Sequence, residues 1–311
     1  MEKVIENEER IDIDVEVELN DCYVRLESYL RPEGQLSALL ILNQKIDESL
    51  GFEKLWNAYH VHVCADGGAN RLYEYLGDEI VRQKYIPHYI VGDLDSVRNE
   101  VLSYYREKGA IVIQQTSQYA TDFDKCVKVL SAHFFSTNFA HSVQNSSQFN
   151  HGIDEERGIL DIYTAERENW HVEKVYLLVL NAIDGRFDQT IHSITQLYTL
   201  AHRDSYYQVG YLTPSDLIFL VRSGGFTITY REKFLDQCIG NCGILPLGCP
   251  TTVLKTLGLK WDVENWSTSI ESGKVSSSNR FVGRDRCYLD VQKPVVMNVE
   301  LNLKKLLSYE F

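Results

Sequence analysis

Residues 38–190 repeat one pattern: a short apolar, β-prone run, then a turn carrying an acidic residue, then a helix-forming stretch. The runs are Ala38–Leu42, Val61–Cys64, Tyr89–Val91, Ala110–Ile113 and Val175–Leu180. Apolar runs this short and continuous are buried on both faces, which is the signature of parallel strands joined by helices. The spacing predicts helices over 49–59, 99–108, 121 onwards and 190–202. Open sheets of this kind bind ligands at the carboxyl ends of their strands. Those ends carry Asp66, Asp93 with Asp95, Asp122 and Asp188.

The most informative junction is Tyr-Ile-Val-Gly-Asp-Leu-Asp-Ser at 89–96. Gly92 permits a tight turn. In extended chain Asp93 and Asp95 point to one side. Two close carboxylates repel unless one is protonated or a hard cation lies between them, and Mg²⁺ prefers carboxylate and phosphate oxygens. A capping role for Asp95 or Ser96 is the alternative at this stretch alone. Gly67-Gly68 after the second strand lets backbone N–H groups approach a ligand, though it is not the GxGxxG of dinucleotide sites. Thr121 caps the helix that Asp122 and Asp124 open; Lys125 and Arg186 are cations suited to phosphate. No Walker A sequence is present.

From about residue 205 the pattern changes to short strands punctuated by Gly, Pro, Asn and Ser, as in a β-sandwich. The runs are Tyr206–Tyr211, Leu217–Val221, Phe226–Tyr230, Cys242–Leu247, Val253–Trp261, Ser276–Phe281 and Val295–Leu301. Trp261 is a packing residue or a stacking platform for an aromatic ligand. The reading is therefore an N-terminal, mostly parallel α/β nucleotide-binding domain over 37–205, then an all-β sandwich over 206–311. Residues 1–36, rich in Glu and Asp, read as an extension. Residues 136–171 read as a surface insertion, with His133, His141 and His151 solvated.

A net charge of −13 speaks against nucleic acid or an anionic membrane as partner. Seven cysteines at irregular spacing read as reduced thiols of a cytoplasmic protein, and Cys238, Cys242 and Cys249 lack zinc-ligand spacing. The N-terminus has no secretory pattern and no apolar run reaches membrane-span length.

Taken in order, the motifs resemble the thiamine pyrophosphokinase family of eukaryotic, fungal type. They are Leu42-Asn43-Gln44, Cys64-Ala65-Asp66-Gly67-Gly68-Ala69-Asn70-Arg71, Gly92-Asp93-Leu94-Asp95-Ser96, Thr121-Asp122-Phe123-Asp124-Lys125-Cys126 and Gly185-Arg186-Phe187-Asp188-Gln189. Cys242-Gly243-Ile244-Leu245-Pro246-Leu247-Gly248, Gly258-Leu259-Lys260-Trp261 and Ser278-Asn279 complete the set. The resemblance implies Mg²⁺-dependent transfer of a pyrophosphoryl group from ATP to thiamine, giving thiamine diphosphate and AMP. It also implies a homodimer with thiamine between subunits. It implies metal binding by Asp66, Asp93, Asp95 and Asp122, and catalysis by Asp93, Asp95, Asp122 and Arg186. The implied ATP contacts are Asn43, Gln44, Asp66, Gly67, Gly68, Asn70, Gln118, Thr121, Lys125, Arg186 and Asp188. Trp261, Ser278 and Asn279 are implied thiamine contacts. Ser117 and Tyr119 stand where many members carry Asp, and Ile183-Asp184 precedes Gly185 where a Gly is common. Two other readings share the site: a kinase of another heterocyclic alcohol, and a non-catalytic thiamine- or nucleotide-binding regulator.

Overall fold

The computed structural model describes residues 1–14, 22–139 and 158–311. In chain order the strands are β1 (Lys3–Glu6), β2 (Tyr23–Arg25), β3 (Leu36–Ile41), β4 (Val61–Ala65), β5 (Tyr89–Gly92), β6 (Ile111–Gln114), β7 (Val175–Leu180) and β8 (Tyr207–Leu212). They continue as β9 (Asp216–Val221), β10 (Gly224–Thr229), β11 (Ile239–Leu245), β12 (Thr251–Leu257), β13 (Trp261–Thr268), β14 (Ser276–Arg280), β15 (Arg286–Val291) and β16 (Val295–Leu301). The α-helices are α1 (Phe52–Ala58), α2 (Gly68–Leu76), α3 (Glu79–Arg82), α4 (Asn99–Glu107), α5 (Asp122–Phe135), α6 (Gly158–Glu166), α7 (Phe187–Arg203), α8 (Glu232–Cys238) and α9 (Leu303–Ser308).

One ten-stranded sheet runs β14-β11-β16-β9-β8-β7-β3-β4-β5-β6. From β6 to β8 all pairings are parallel; from β8 onward they are antiparallel. Within this sheet the chain enters at β3, steps outward to β6, and returns to the other side of β3 at β7. The order therefore reverses beside β3, and the crevice at such a reversal is where these sheets bind ligands. Alternate residues of β3, β4, β5 and β7 enter two separate apolar cores: Leu39, Ile41, Cys64 and Ile90 one, Leu40, Val63, Val91 and Val179 the other. Burial on both faces explains the unbroken apolar runs.

The second sheet runs β1-β13-β12-β15-β10-β2. Its inner residues Phe226, Ile228, Val253, Leu289 and Val291 share a core with Phe219, Val221, Met297 and Val299 of the long sheet. An α/β part followed by a β-rich part is thus present, but they share a sheet rather than meeting at a linker. The parallel region runs on to Leu212 in β8, beyond residue 205, because β8 pairs along its whole length with β7.

The acidic N-terminal segment is built into the second sheet. β1 pairs antiparallel with β13 and β2 parallel with β10. Ile11 makes one isolated bridge to Gly283, and residues 15–21 lie outside the described residues. Of the expected surface insertion, residues 140–157, with His141 and His151, also lie outside them. Its end is the helix α6, which buries Ile159 and Tyr163 against the core. His133 is half-buried, not solvated. Its Nδ1 lies 2.8 Å from the Tyr89 hydroxyl, and burial lowers its pKa to about 4. The run Val253–Trp261 is two strands: Gly258, at φ +92°, turns the chain and Trp261 begins β13. All seven cysteines are free thiols.

Candidate active site

The carboxyl ends of β4 and β5 and the start of α5 bring three acidic side chains together. Asp66 follows β4 in the left-handed region, at φ +41°. Its buried carboxylate accepts the backbone N–H of Ser96 and of Val97, each at 3.1 Å. Asn70, on the first turns of α2, donates to Ser96 O at 2.9 Å and accepts from Arg98 N–H at 3.0 Å. Asp66 and Asn70 thus fasten both sides of the loop that carries Asp93 and Asp95.

Gly92 is required at the end of β5 by space. A Cβ there would lie 2.6 Å from Asp66 Cβ and 3.2 Å from Asp122 Cγ. Asp93 follows; Gln118 donates to its Oδ2 at 3.1 Å. Asp122 is the first residue of α5, whose cap is the Thr121 side chain accepting from Asp124 N–H at 3.3 Å. Buried Lys125, one turn on, donates to Asp122 Oδ1 at 3.0 Å. One carboxylate oxygen from each of Asp66, Asp93 and Asp122 lies within 4.8 Å of the others. Asp95 stands outside this trio, exposed, accepting from the Ser96 hydroxyl at 2.8 Å.

Burial raises the pKa of Asp66, and the charge of Asp122 adds to it against the pull of the Ser96 and Val97 N–H groups. Burial likewise raises Asp122, with Asp93 adding and Lys125 opposing. Three converging carboxylates, two of them holding their protons more tightly than normal, are a repulsive arrangement for the protein alone. An all-oxygen donor set with spare lone pairs fits a hard divalent cation such as Mg²⁺, whose charge removes the conflict.

A cavity of about 620 Å³ opens beside Asp93 and Asp122, between α5 and α7. Asn43, Asp93, Gln118, Thr121, Asp122 and Lys125 line it, as do Gln189, His192, Ser193, Gln196, Thr199 and Arg203 of α7. The α7 residues escape a sequence reading that follows only that helix's apolar face; their signal is a polar stripe at three- and four-residue spacing. Gln44, Gly67, Gly68, Asn70, Arg186 and Asp188, also expected at the nucleotide, do not line this cavity. Gly67 and Gly68 have no room for a Cβ, which would meet Asn43 Nδ2 at 2.3 Å and Ile41 O at 2.2 Å. Gly185, at φ +69°, lies against Gln44. Arg186 and Asp188 are exposed and paired to each other through two contacts of 3.1 and 2.5 Å. Tyr119 is 98% exposed, and Ser117 Oγ accepts its N–H.

A second, apolar cavity of about 300 Å³ lies between the edges of the two sheets, lined by Trp261, Ser278 and Asn279 with Val4, Leu259, Val263 and Trp266. Asn279 spends its amide on the Trp261 backbone, donating to O at 2.9 Å and accepting from N–H at 3.1 Å. Lys260 Nζ sits 4.7 Å from the Trp261 ring centre. Trp261 stays 36% exposed.

Residues 52–209 match a family model described as the thiamin pyrophosphokinase catalytic domain, and residues 228–296 one described as its vitamin B1 binding domain. Thiamine pyrophosphokinase of Saccharomyces cerevisiae is 49% identical over 316 residues, spanning 99% of both chains. Thiamine pyrophosphokinase 3 of rice is 30% identical over 79% of both. The crystal structure of yeast thiamin pyrophosphokinase superposes with a TM-score of 0.90 at 47% identity, covering 99% of this chain and 100% of that one. Thiamin pyrophosphokinase of Candida albicans does so at 0.82 and 34% identity, covering 97% and 99%. With both family models matched and half its residues shared along the full length of a yeast relative, this chain belongs to the thiamine pyrophosphokinase family.

Proposed function

We propose that the chain catalyses transfer of the pyrophosphoryl group of ATP to the hydroxyl of thiamine, forming thiamine diphosphate and AMP. The observation that carries this reading is the convergence of Asp66, Asp93 and Asp122 at the mouth of a cleft of nucleotide size. Mg²⁺ held there by Asp66, Asp93 and Asp122, with exposed Asp95 beside them, would neutralise phosphate charge. The thiamine hydroxyl oxygen attacks the β-phosphorus. The bond from that phosphorus to the oxygen bridging the α- and β-phosphates breaks, and AMP leaves with that oxygen. The hydroxyl proton passes to a carboxylate of the cluster. Gln118 and Lys125 position Asp93 and Asp122 and offer N–H donors to phosphate. Arg186, free to swing from Asp188, supplies charge where it develops in the transition state.

The apolar cavity at Trp261, Ser278 and Asn279 holds the thiamine rings. A second copy of the chain brings that cavity to the nucleotide cleft, making the active unit a homodimer. The protein works in the cytoplasm, with its α/β part serving ATP and its sandwich serving thiamine.

Incubation with ATP, thiamine and Mg²⁺, with all products resolved, tests the reaction. Equal AMP and thiamine diphosphate are expected. ADP with thiamine monophosphate would make it an ordinary kinase, and thiamine binding without turnover would make it a regulator.

A further inference from the structure

The cleft extends past the carboxylate trio along α7. The side chains facing it there, Gln189, His192, Ser193, Gln196, Thr199 and Arg203, form one polar stripe on a helix whose Leu197 and Leu200 serve the core. The cations near its far end are already neutralised. Arg203 bonds Asp124 at 2.7 Å and Asp204 at 2.7 Å, and Lys128 bonds Asp124 at 2.5 Å. Triphosphate oxygens therefore belong at the trio, and the far end takes the uncharged part of a nucleotide.

At that end Gln196 is only 7% exposed, with Nε2 3.1 Å from His192 Nε2 and Oε1 buried without any hydrogen-bond partner. A buried amide oxygen left unbonded is an acceptor in want of an N–H. The terminal amide torsion is soft, so small rotation presents that oxygen to the cleft. Resting on the ATP-dependent reading above, we infer that Gln196 is a specificity residue whose Oε1 accepts a hydrogen bond from the exocyclic amino group of adenine. His192 Nε2, 3.1 Å from the amide nitrogen, accepts from it and limits the rotation by which the oxygen reaches the base.

The test is calorimetric binding with Mg²⁺ and no thiamine, comparing ATP with purine riboside triphosphate, which lacks only the amino group. Wild type is expected to bind ATP about 3- to 10-fold more tightly, the range of one neutral hydrogen bond. Gln196→Leu, similar in size, is expected to bind the two equally and near the weaker value. Equal binding by wild type overturns the inference without recourse to any variant. An undiminished preference in Gln196→Leu does the same. Selective ATP binding here, with no thiamine diphosphate formed once thiamine is added in a separate assay, would instead overturn the proposed reaction while sustaining the role of Gln196.

Discussion

Gly92 and Asn70 show how much of the site rests on residues that carry no charge. Gly92 leaves the space into which Asp66 and Asp122 converge; a methyl group there would meet Asp66 Cβ at 2.6 Å. Gly92→Ala is expected to lower kcat/KM at least ~100-fold, as sub-ångström to ångström displacements of catalytic groups do, while far-UV circular dichroism stays native. A rate near wild type would mean that the trio need not converge. Asn70 holds the loop from behind, both ends of its amide being bonded to Ser96 and Arg98. Asn70→Ala is expected to raise the Mg²⁺ concentration for half-maximal rate by roughly tenfold, the usual cost of losing a support behind a metal ligand. Its KM for thiamine should hold; a change in that KM with none in the Mg²⁺ requirement would count against a loop-holding role. The acidic residues were legible because strand ends announce them. The role of Asn70 was not, because its partners lie on a different strand-to-helix loop and no local spacing links them. Gln196 was hidden for a related reason: within α7 it reads as one more polar position between apolar ones.

At the scale of elements, α5 and the β4 and β5 ends set the pH response. Burial raises Asp66 and Asp122 first of all. A carboxyl group whose pKa is raised by folding favours the folded state below its unfolded value, and that contribution is lost as pH rises through the raised value. A metal ion acts in the opposite sense, since it needs the deprotonated forms. The rise in Tm on adding Mg²⁺ is therefore expected to be large at pH 7.5 and to shrink at pH 5, where protons compete for Asp66 and Asp122. Scanning calorimetry at both pH values checks this; an equal rise would place the metal on groups that are not raised. Strands buried on both faces, such as β3, β4 and β7, could be read from composition alone. β13 and β15 could not. Their half-buried alternation places Asp262, Glu264 and Asn265, and Arg286 and Asp290, within the strands, and the Gly258 turn joins two strands into one apparent run.

The whole molecule hangs on one ten-stranded sheet that passes from the parallel α/β half to the sandwich without a break. A boundary near residue 205 marks a change of sequence character, not a gap in the structure, because hydrogen bonding along a sheet leaves no compositional trace. The N-terminal segment was the hardest part to read. Its acidic composition suggested an appendage, yet Lys3–Glu6 edge the second sheet and Asn7 donates to Leu259 O and Asp262 Oδ2, each at 2.8 Å. Val4 also lines the Trp261 cavity. Deleting residues 2–7 is expected to weaken thiamine binding roughly tenfold, by loss of those hydrogen bonds and of apolar cover, and to leave ATP binding unchanged. Unaltered thiamine binding, measured by quenching of tryptophan fluorescence, would remove β1 from the thiamine site.

Asp66, Asp93 and Asp122 are expected to hold a divalent cation jointly. A Mn²⁺ titration followed by electron paramagnetic resonance, with wild type and Asp93→Asn each holding a non-hydrolysable ATP analogue, checks this. The expected result is saturable binding by wild type and at least ~10-fold weaker binding by Asp93→Asn with its fold intact. Equal affinities would show that the converging carboxylates are not the metal site.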